Sequence, residues 1–179
     1  MKFSINRLYF MKWIGISGGW RKINKHVEED VRRVVKELIT NGNGIVSGGA
    51  LGVDYIATDE ALRLNPSATQ IKIYLPTTLR AYSVYYRKKA NEGVITNAQA
   101  EMLITQLEKL VKINKNAIIE NKENKIVNQE SYYQRNMEVV NASDELIAFH
   151  INRSEGTQDT INKAKQKHIP IKIFKYTIN

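Results

Sequence analysis

The sequence predicts an α/β fold, a three-layer sandwich in which helices cover both faces of a mainly parallel sheet. Two observations carry this expectation. Short apolar runs alternate with stretches of helical periodicity, the sign of successive βαβ units. Three of those runs also end in glycine-containing loops that open helices.

Taken in order, residues 12–17 form the first strand and end at Gly18-Gly19. Val27, Val31, Val34, Val35 and Leu38 then recur at helical spacing, and Asn41-Gly42 closes that helix. Residues 44–47 are a second strand running into Gly48-Gly49-Ala50-Leu51-Gly52, and the helix that follows stops at Asn65-Pro66. Residues 71–75 are a third strand, ended by Pro76. The rhythm then breaks. A stretch over residues 80–89 interleaves tyrosines with Arg and Lys, and an amphipathic helix carries Met102, Leu103, Leu107, Leu110 and Val111. Residues 114–128, rich in Asn, Lys and Glu, are expected to be exposed and mobile. Regular order resumes with a helix over 132–140, a strand over 145–150, a helix over 156–167 and a strand over 170–175.

At 179 residues the chain is expected to be one domain, with residues 1–10 as an extension and residues 90–130 as a helical, partly mobile insert. It has no cysteine, which removes disulfides, thiolate metal sites and cysteine nucleophiles together. His26, His150 and His168 show no ligand spacing, so neither a metal nor a cofactor is expected. No stretch approaches the roughly 18 apolar residues of a membrane span, and the N-terminal segment does not read as a signal peptide. A cytoplasmic protein is expected. Lys and Arg number 27 against 18 Asp and Glu, a net charge of +9. That excess attracts polyanions, but lysine is spread along the whole chain, and no block of five or six like charges concentrates it.

The loops carry the chemistry. Ser17-Gly18-Gly19, Ser47-Gly48-Gly49-Ala50-Leu51-Gly52 and Ser154-Glu155-Gly156-Thr157 each join a strand to a helix, so a parallel sheet gathers them at its carboxyl edge, where ligands bind beside the switch point in strand order. Glycine lets backbone amides approach an oxygen closely, helix N-termini offer unpaired N–H groups, and hydroxyls add donors. A phosphate site is the expectation. Gly15-Ile16-Ser17-Gly18-Gly19 also satisfies a nucleophile-elbow pattern, but no histidine is placed as its base, and Ser17 reads better as a phosphate donor. The tyrosines and cations of residues 80–89 fit either a base-stacking surface or an amphipathic helix with half-buried tyrosines. The helix of Met102 to Val111 fits a dimer contact, a lid, or ordinary packing on the sheet, the last being preferred.

Ser47-Gly48-Gly49-Ala50-Leu51-Gly52-Val53-Asp54, followed by Ala57 and Ala61, resembles the signature of the DNA-processing protein A (DprA/Smf) family and its relatives in the SLOG superfamily. The likeness continues through Arg135-Asn136 and Gly156-Thr157-Gln158-Asp159-Thr160-Ile161. The resemblance implies a Rossmann-like domain that recognises nucleotides, nucleotide-derived signals or single-stranded DNA. It places Gly18, Gly19, Ser47, Gly48, Gly49, Gly52, Gly156 and Thr157 against phosphate. Asp54 would repel a phosphate, so it is expected to cap its helix or to accept a sugar hydroxyl. Arg135, beside Asn136, is expected to clamp the ligand. The LOG-type (lysine decarboxylase-like) phosphoribohydrolases are related, and their Pro-Gly-Gly-x-Gly-Thr-x-x-Glu pattern is incomplete here, since Thr160 stands where the glutamate belongs. Binding is therefore preferred to turnover, and Arg135 and Asp159 are the catalytic candidates if the chain is an enzyme. The expected partner is a nucleotide or nucleotide-derived ligand, with single-stranded nucleic acid as the alternative and a homo-oligomer left open.

Overall fold

Runs of Ile, Val and Leu that are apolar on both faces suit strands covered on both sides, as in the buried Gly44–Ser47 run, and six strands pair into one sheet in the computed structural model, which describes residues 10–179. The extension expected at residues 1–10 lies almost wholly outside the described residues. The chain passes through β1 (Trp13–Gly18), α1 (Lys25–Thr40), β2 (Gly44–Ser47), α2 (Val53–Leu64), β3 (Ile71–Leu75), α3 (Leu79–Asn91), α4 (Asn97–Ile113), β4 (Ile118–Glu120), α5 (Gln129–Asn141), β5 (Glu145–Ile151), α6 (Glu155–Gln166) and β6 (Ile171–Tyr176). The strand order is β4-β3-β2-β1-β5-β6, and every pairing is parallel. β1 sits at the middle, its Ile14 opposite both Ile45 of β2 and Glu145 of β5. The fold is the Rossmann-like three-layer α/β class that the alternation of elements predicts.

The main core joins the sheet to Val27, Val31 and Val35 of α1, Ala57 and Ala61 of α2, and Leu103, Leu107 and Leu110 of α4. A smaller cluster, Val140, Leu146, Ala148, Ile161 and Ala164, lies beneath α5 and α6. Four helices are closed at their starts by their own side chains: Asn24 for α1, Thr78 for α3, Thr96 for α4 and Asn128 for α5. Among the described residues no helix is long and apolar enough to cross a membrane, and no group of three His, Cys, Asp or Glu side chains is placed to hold a metal.

Two parts of the break in rhythm differ from expectation. Residues 114–128 are not wholly irregular, because Ile118–Glu120 pairs with β3 as an edge strand, with Ile118 buried. In α4 the buried stripe is Ala100, Leu103, Ile104, Leu107 and Leu110, so Met102 and Val111 face outward rather than into the core. That stripe packs on the domain itself, as ordinary packing requires.

The last strand is tied to the first helix by one polar contact. The Tyr176 hydroxyl donates to Asp30 at 2.8 Å, and Arg33 donates to the same carboxylate at 2.5 Å. The hydrogen bonds from Arg33 and then Tyr176 hold the Asp30 carboxyl below its ordinary value of 3.8. A carboxyl lowered on folding adds stability above its unfolded pKa and loses it as pH falls through the folded one. Tyr176→Phe should therefore cost about 1 kcal/mol at neutral pH, and the gap from the parent should close on acidification below that ordinary value. Urea unfolding at a series of pH values checks both the size and the direction.

Candidate functional site

A doubly wound sheet leaves a crevice where its winding reverses. Here β2, β3 and β4 follow β1 to one side while β5 and β6 lie on the other, and a cleft of about 700 Å³ opens over the carboxyl ends of the central strands. Ser17, Gly18, Gly19 and Gly48 form its floor. Asn136, Tyr132 and Tyr133 of α5 and Gly156 and Thr157 of α6 form its walls, and Trp20, Arg21, Lys22 and Arg153 stand at its rim. All three glycine-bearing loops thus contribute, as the register of the strands requires.

They contribute unequally. In the β2–α2 loop two amides are already occupied: Gly48 N–H and Ala50 N–H donate to Asp54 Oδ2 at 3.1 and 3.3 Å. Arg135 Nη1 donates to Gly48 O and lies 3.8 Å from Asp54 Oδ2, and both side chains are only 9% exposed. Burial pushes the Asp54 carboxyl above its ordinary range, and the Arg135 charge and the two amides pull against that rise. The Tyr132 ring lies 5.2 Å from the Arg135 guanidinium. A Cβ on Gly48 would run into that guanidinium, so glycine is required there by a neighbouring side chain.

Several expectations are corrected by this arrangement. Asp54 does not cap its helix, since Gly52 is the N-cap of α2 and no side chain bonds there; the carboxylate instead holds the preceding loop. Arg135 is expected to clamp a ligand, but it sits behind Gly48 and is not among the residues lining the cleft. Gly49, at φ +62°, turns toward Ile73 and Leu75, where a Cβ would come within 2.6 and 2.9 Å, and Gly52, at φ +72°, backs onto Gly19 and Trp20. Ser47 is fully buried with its hydroxyl unpartnered. Of that loop only Gly48 and Ala50 reach the cleft, together with Asp54. Asp159 also lies outside the lining, where it accepts from Asn136 Nδ2 at 2.9 Å and pairs with Lys163. Because a carboxylate only accepts, this bond fixes the Asn136 amide with its Nδ2 toward Asp159 and leaves Oδ1 as the free atom at the cleft.

The β5–α6 loop is the open one. Gln158 N–H is the first α6 amide to bond back, to Ser154 O at 3.0 Å, so the amides of Glu155, Gly156 and Thr157 precede the helical ladder. Ser154 makes no side-chain cap bond, and its hydroxyl lies 3.2 Å from that of Thr157. Four other helices have side-chain caps, whereas this start faces the cleft uncapped.

The rim was not legible as a site. Trp20-Arg21-Lys22 directly follows the first glycine pair, and Tyr132-Tyr133 opens α5, but neither pairing of types distinguishes a wall from ordinary surface. The tyrosine-rich stretch over 80–89 resolves as α3, with Tyr82 and Tyr86 buried edge-to-face at 4.9 Å. Its Arg87 is paired with Glu101 and its Lys89 with Glu92, and only Tyr85 and Tyr86 border the cleft.

Comparison with known proteins places this geometry. The family model described as DNA recombination-mediator protein A matches residues 8–179. No curated protein matches the sequence significantly. DNA processing protein A from Helicobacter pylori, whose solved structure is described for its single-stranded DNA binding mode, is 24% identical with a TM-score of 0.65, covering 90% of this chain and 64% of that one. The corresponding protein of Streptococcus pneumoniae is 15% identical with a TM-score of 0.52, covering 90% and 58%. The molybdenum cofactor binding protein of Rippkaea orientalis is 15% identical with a TM-score of 0.60, covering 94% and 78%. These identities show a shared fold, and the chain spans only 64% and 58% of the two DNA-processing proteins.

The buried pair yields a test of what Arg135 does. Arg135→Met leaves the Asp54 charge buried without its partner and should lower the unfolding free energy by about 3 kcal/mol. The deficit should shrink on acidification, because a protonated Asp54 needs no partner, and adding Asp54→Asn should recover part of it. Chemical denaturation of the single and double variants measures both; unchanged stability with only ligand binding lost would return Arg135 to the role of a clamp.

Proposed function

This chain belongs to the DNA recombination-mediator protein A family, and from that premise we propose that it binds single-stranded nucleic acid, seating one nucleotide in the cleft at the switch point. The observation that carries the reading is the meeting of open amides, free cations and aromatic rings around one cleft. The amides of Glu155, Gly156 and Thr157, with the hydroxyls of Ser154 and Thr157, are the phosphate donors, and the dipole of α6 favours a negative charge at that end. Arg32, Arg33, Arg63, Arg87 and Arg135 are engaged in ion pairs, whereas Arg21 and Arg153 at the rim are in none among the described residues and are available to the backbone of a strand. Trp20, with the Arg21 guanidinium 4.6 Å from its ring, and Tyr132 and Tyr133 across the cleft provide faces for a base. The free Oδ1 of Asn136 is an acceptor for a base or sugar donor.

A second reading, a free nucleotide or nucleotide-derived ligand, rests on the cleft's size, about 700 Å³, which lies within the range of small-molecule pockets. It differs in predicting no gain with strand length. The phosphoribohydrolase reading finds less support: Asp159 faces Asn136 and Lys163, the Thr160 hydroxyl bonds to Gly156 O at 3.0 Å, and Asp54 is held by loop amides.

Gly156 makes the sharpest probe, because a Cβ there meets nothing within 4 Å while the position lines the cleft. Gly156→Asp should fold with unchanged stability, an acidic residue being favourable in a first helical turn, and should weaken binding of a labelled oligonucleotide of about 16 residues by at least about ten-fold. Arg153→Ala should reduce the dependence of log affinity on log salt by about one unit. Fluorescence anisotropy over a salt series reads both effects. Full affinity in the Gly156→Asp protein would remove the α6 start from the site, and equal affinity for mononucleotide and oligonucleotide would favour the free-nucleotide reading.

A further inference from the structure

Among the described residues five α-helices start at an Asn, Ser or Thr able to cap them, and four are capped in one way. Asn24, Thr78, Thr96 and Asn128 each accept from the amide of the third helical residue, with ψ angles of 170°, 151°, 156° and −176°. Ser154 stands at the same position before α6, with Thr157 as the third residue. Its backbone is instead at φ −47° and ψ 122°, and its hydroxyl rests 3.2 Å from the Thr157 hydroxyl without bonding to the Thr157 amide.

The turn before Ser154 accounts for the difference. Asn152 and Arg153 are both left-handed, at φ 48° and 57°. Asn tolerates that region better than most residues and Arg does not, so the pair persists only where contacts fix it. Those contacts come from β6 and the residues after it. Asn152 N–H donates to Tyr176 O at 3.0 Å, Asn152 Nδ2 donates to Ile178 O at 2.6 Å, and Ile178 N–H donates to Asn152 Oδ1 at 2.8 Å. The side-chain amide stands in for a peptide group and carries the pairing of β5 with β6 one step past the end of β5. Ser154 N–H is bonded back to Ile151 O at 3.0 Å, so little slack separates this clamp from the helix.

We propose that Asn152 is a positioning residue, whose clamp on Ile178 holds Ser154 away from the Thr157 amide and so keeps the α6 start open to an anionic ligand; the proposal rests on the reading of that start as a phosphate site. Ser154 is then a built-in competitor. When the clamp lets go, Ser154 turns into the capping conformation of the other four helices and satisfies the Thr157 amide itself. The openness of the site thus depends on a contact made at the edge of the sheet by Ile178, which does not line the cleft.

A double-mutant cycle on the whole chain tests this, with a labelled single-stranded oligonucleotide of about 16 residues as the probe. Asn152→Gly removes the clamp and leaves the left-handed turn accessible, since glycine adopts it without strain. It should weaken binding about five-fold, the factor by which a serine cap favours its helix. Ser154→Ala should weaken binding in the parent, where the hydroxyl is a phosphate donor, and strengthen it in the Asn152→Gly chain, where the hydroxyl is the competitor. Stability follows the same logic. Ser154→Ala should leave the urea midpoint of the parent unchanged and lower that of the Asn152→Gly chain, which has a cap to lose. From the other end of the clamp, Ile178→Pro removes the N–H that meets Asn152 and should bind as Asn152→Gly does, while Ile178→Ala, which keeps both backbone groups, should bind as the parent. Losses of affinity that simply add in the double variant overturn the proposal, as does a midpoint lowered equally by Ser154→Ala in both backgrounds. Absence of binding by the parent overturns the single-strand reading instead, and the midpoints then decide by themselves whether the clamp restrains Ser154.

Discussion

The Gly48 peptide is held on both of its polar faces, its N–H by Asp54 and its C=O by Arg135, and the two side chains that hold it are themselves a buried ion pair. This contact joins the end of β2, the start of α2 and the middle of α5. A buried pair adds little net stability compared with an apolar substitute, yet losing either partner is expensive, because the other charge is then stranded. Its value here is geometric. It fixes α5 against the floor of the cleft and so sets the positions of Tyr132, Tyr133 and Asn136, which are three of the cleft's walls. Tyr132, packed against the guanidinium and edge-on to Tyr85 at 6.2 Å, extends the same constraint to α3.

The constraint also divides the glycine loops by function. Amide donors are a finite resource, and the β2–α2 loop has committed two of them to a carboxylate of its own chain. A phosphate arriving there would meet Asp54 rather than free N–H groups. The β5–α6 loop lacks such an internal anion in contact with its amides, and its donors stay open. The two loops differ in what they demand of their glycines. Gly48 yields to Arg135 and Gly49 to Ile73 and Leu75, whereas Gly156 has open space around it and leaves the helix start accessible. Within the glycine-rich motif, Gly48 and Gly49 also serve close packing.

Much of the fold was legible because the physics that makes it is local. Apolar runs such as residues 71–75 and helical stripes such as Val27, Val31 and Val35 announce themselves without their partners. β4 did not, since three residues amid Asn, Lys and Glu carry too little pattern and become a strand only by pairing with β3. The register of the three loops was legible for a topological reason, because parallel strands bring their following loops to one edge. What each loop residue does there was not. Arg135 and Asp54 are far apart in sequence, and nothing local shows that they meet across Gly48. The tyrosines of α3 were ambiguous for a similar reason: Tyr82 and Tyr86 are buried, and Tyr85 meets Tyr132 of α5 edge-on, a partner distant in the chain.

One corner of the domain gathers features that lower its stability. Asn152 and Arg153 are successive non-glycine residues at φ 48° and 57°, a conformation costing about 1 kcal/mol or more for residues with a Cβ. Immediately after them α6 begins without a side-chain cap, although Ser154 stands at the cap position and such a cap is worth about 1 kcal/mol. The surrounding contacts sustain this geometry: Asn152 exchanges two hydrogen bonds with Ile178, at 2.6 and 2.8 Å, and the end of β5 is paired along its length with β6. Both features serve the same end. The left-handed turn brings Arg153 to the rim, and the uncapped start leaves three amides facing the cleft. On the reading proposed above, an anion bound there would supply the missing cap and so add to the stability of α6.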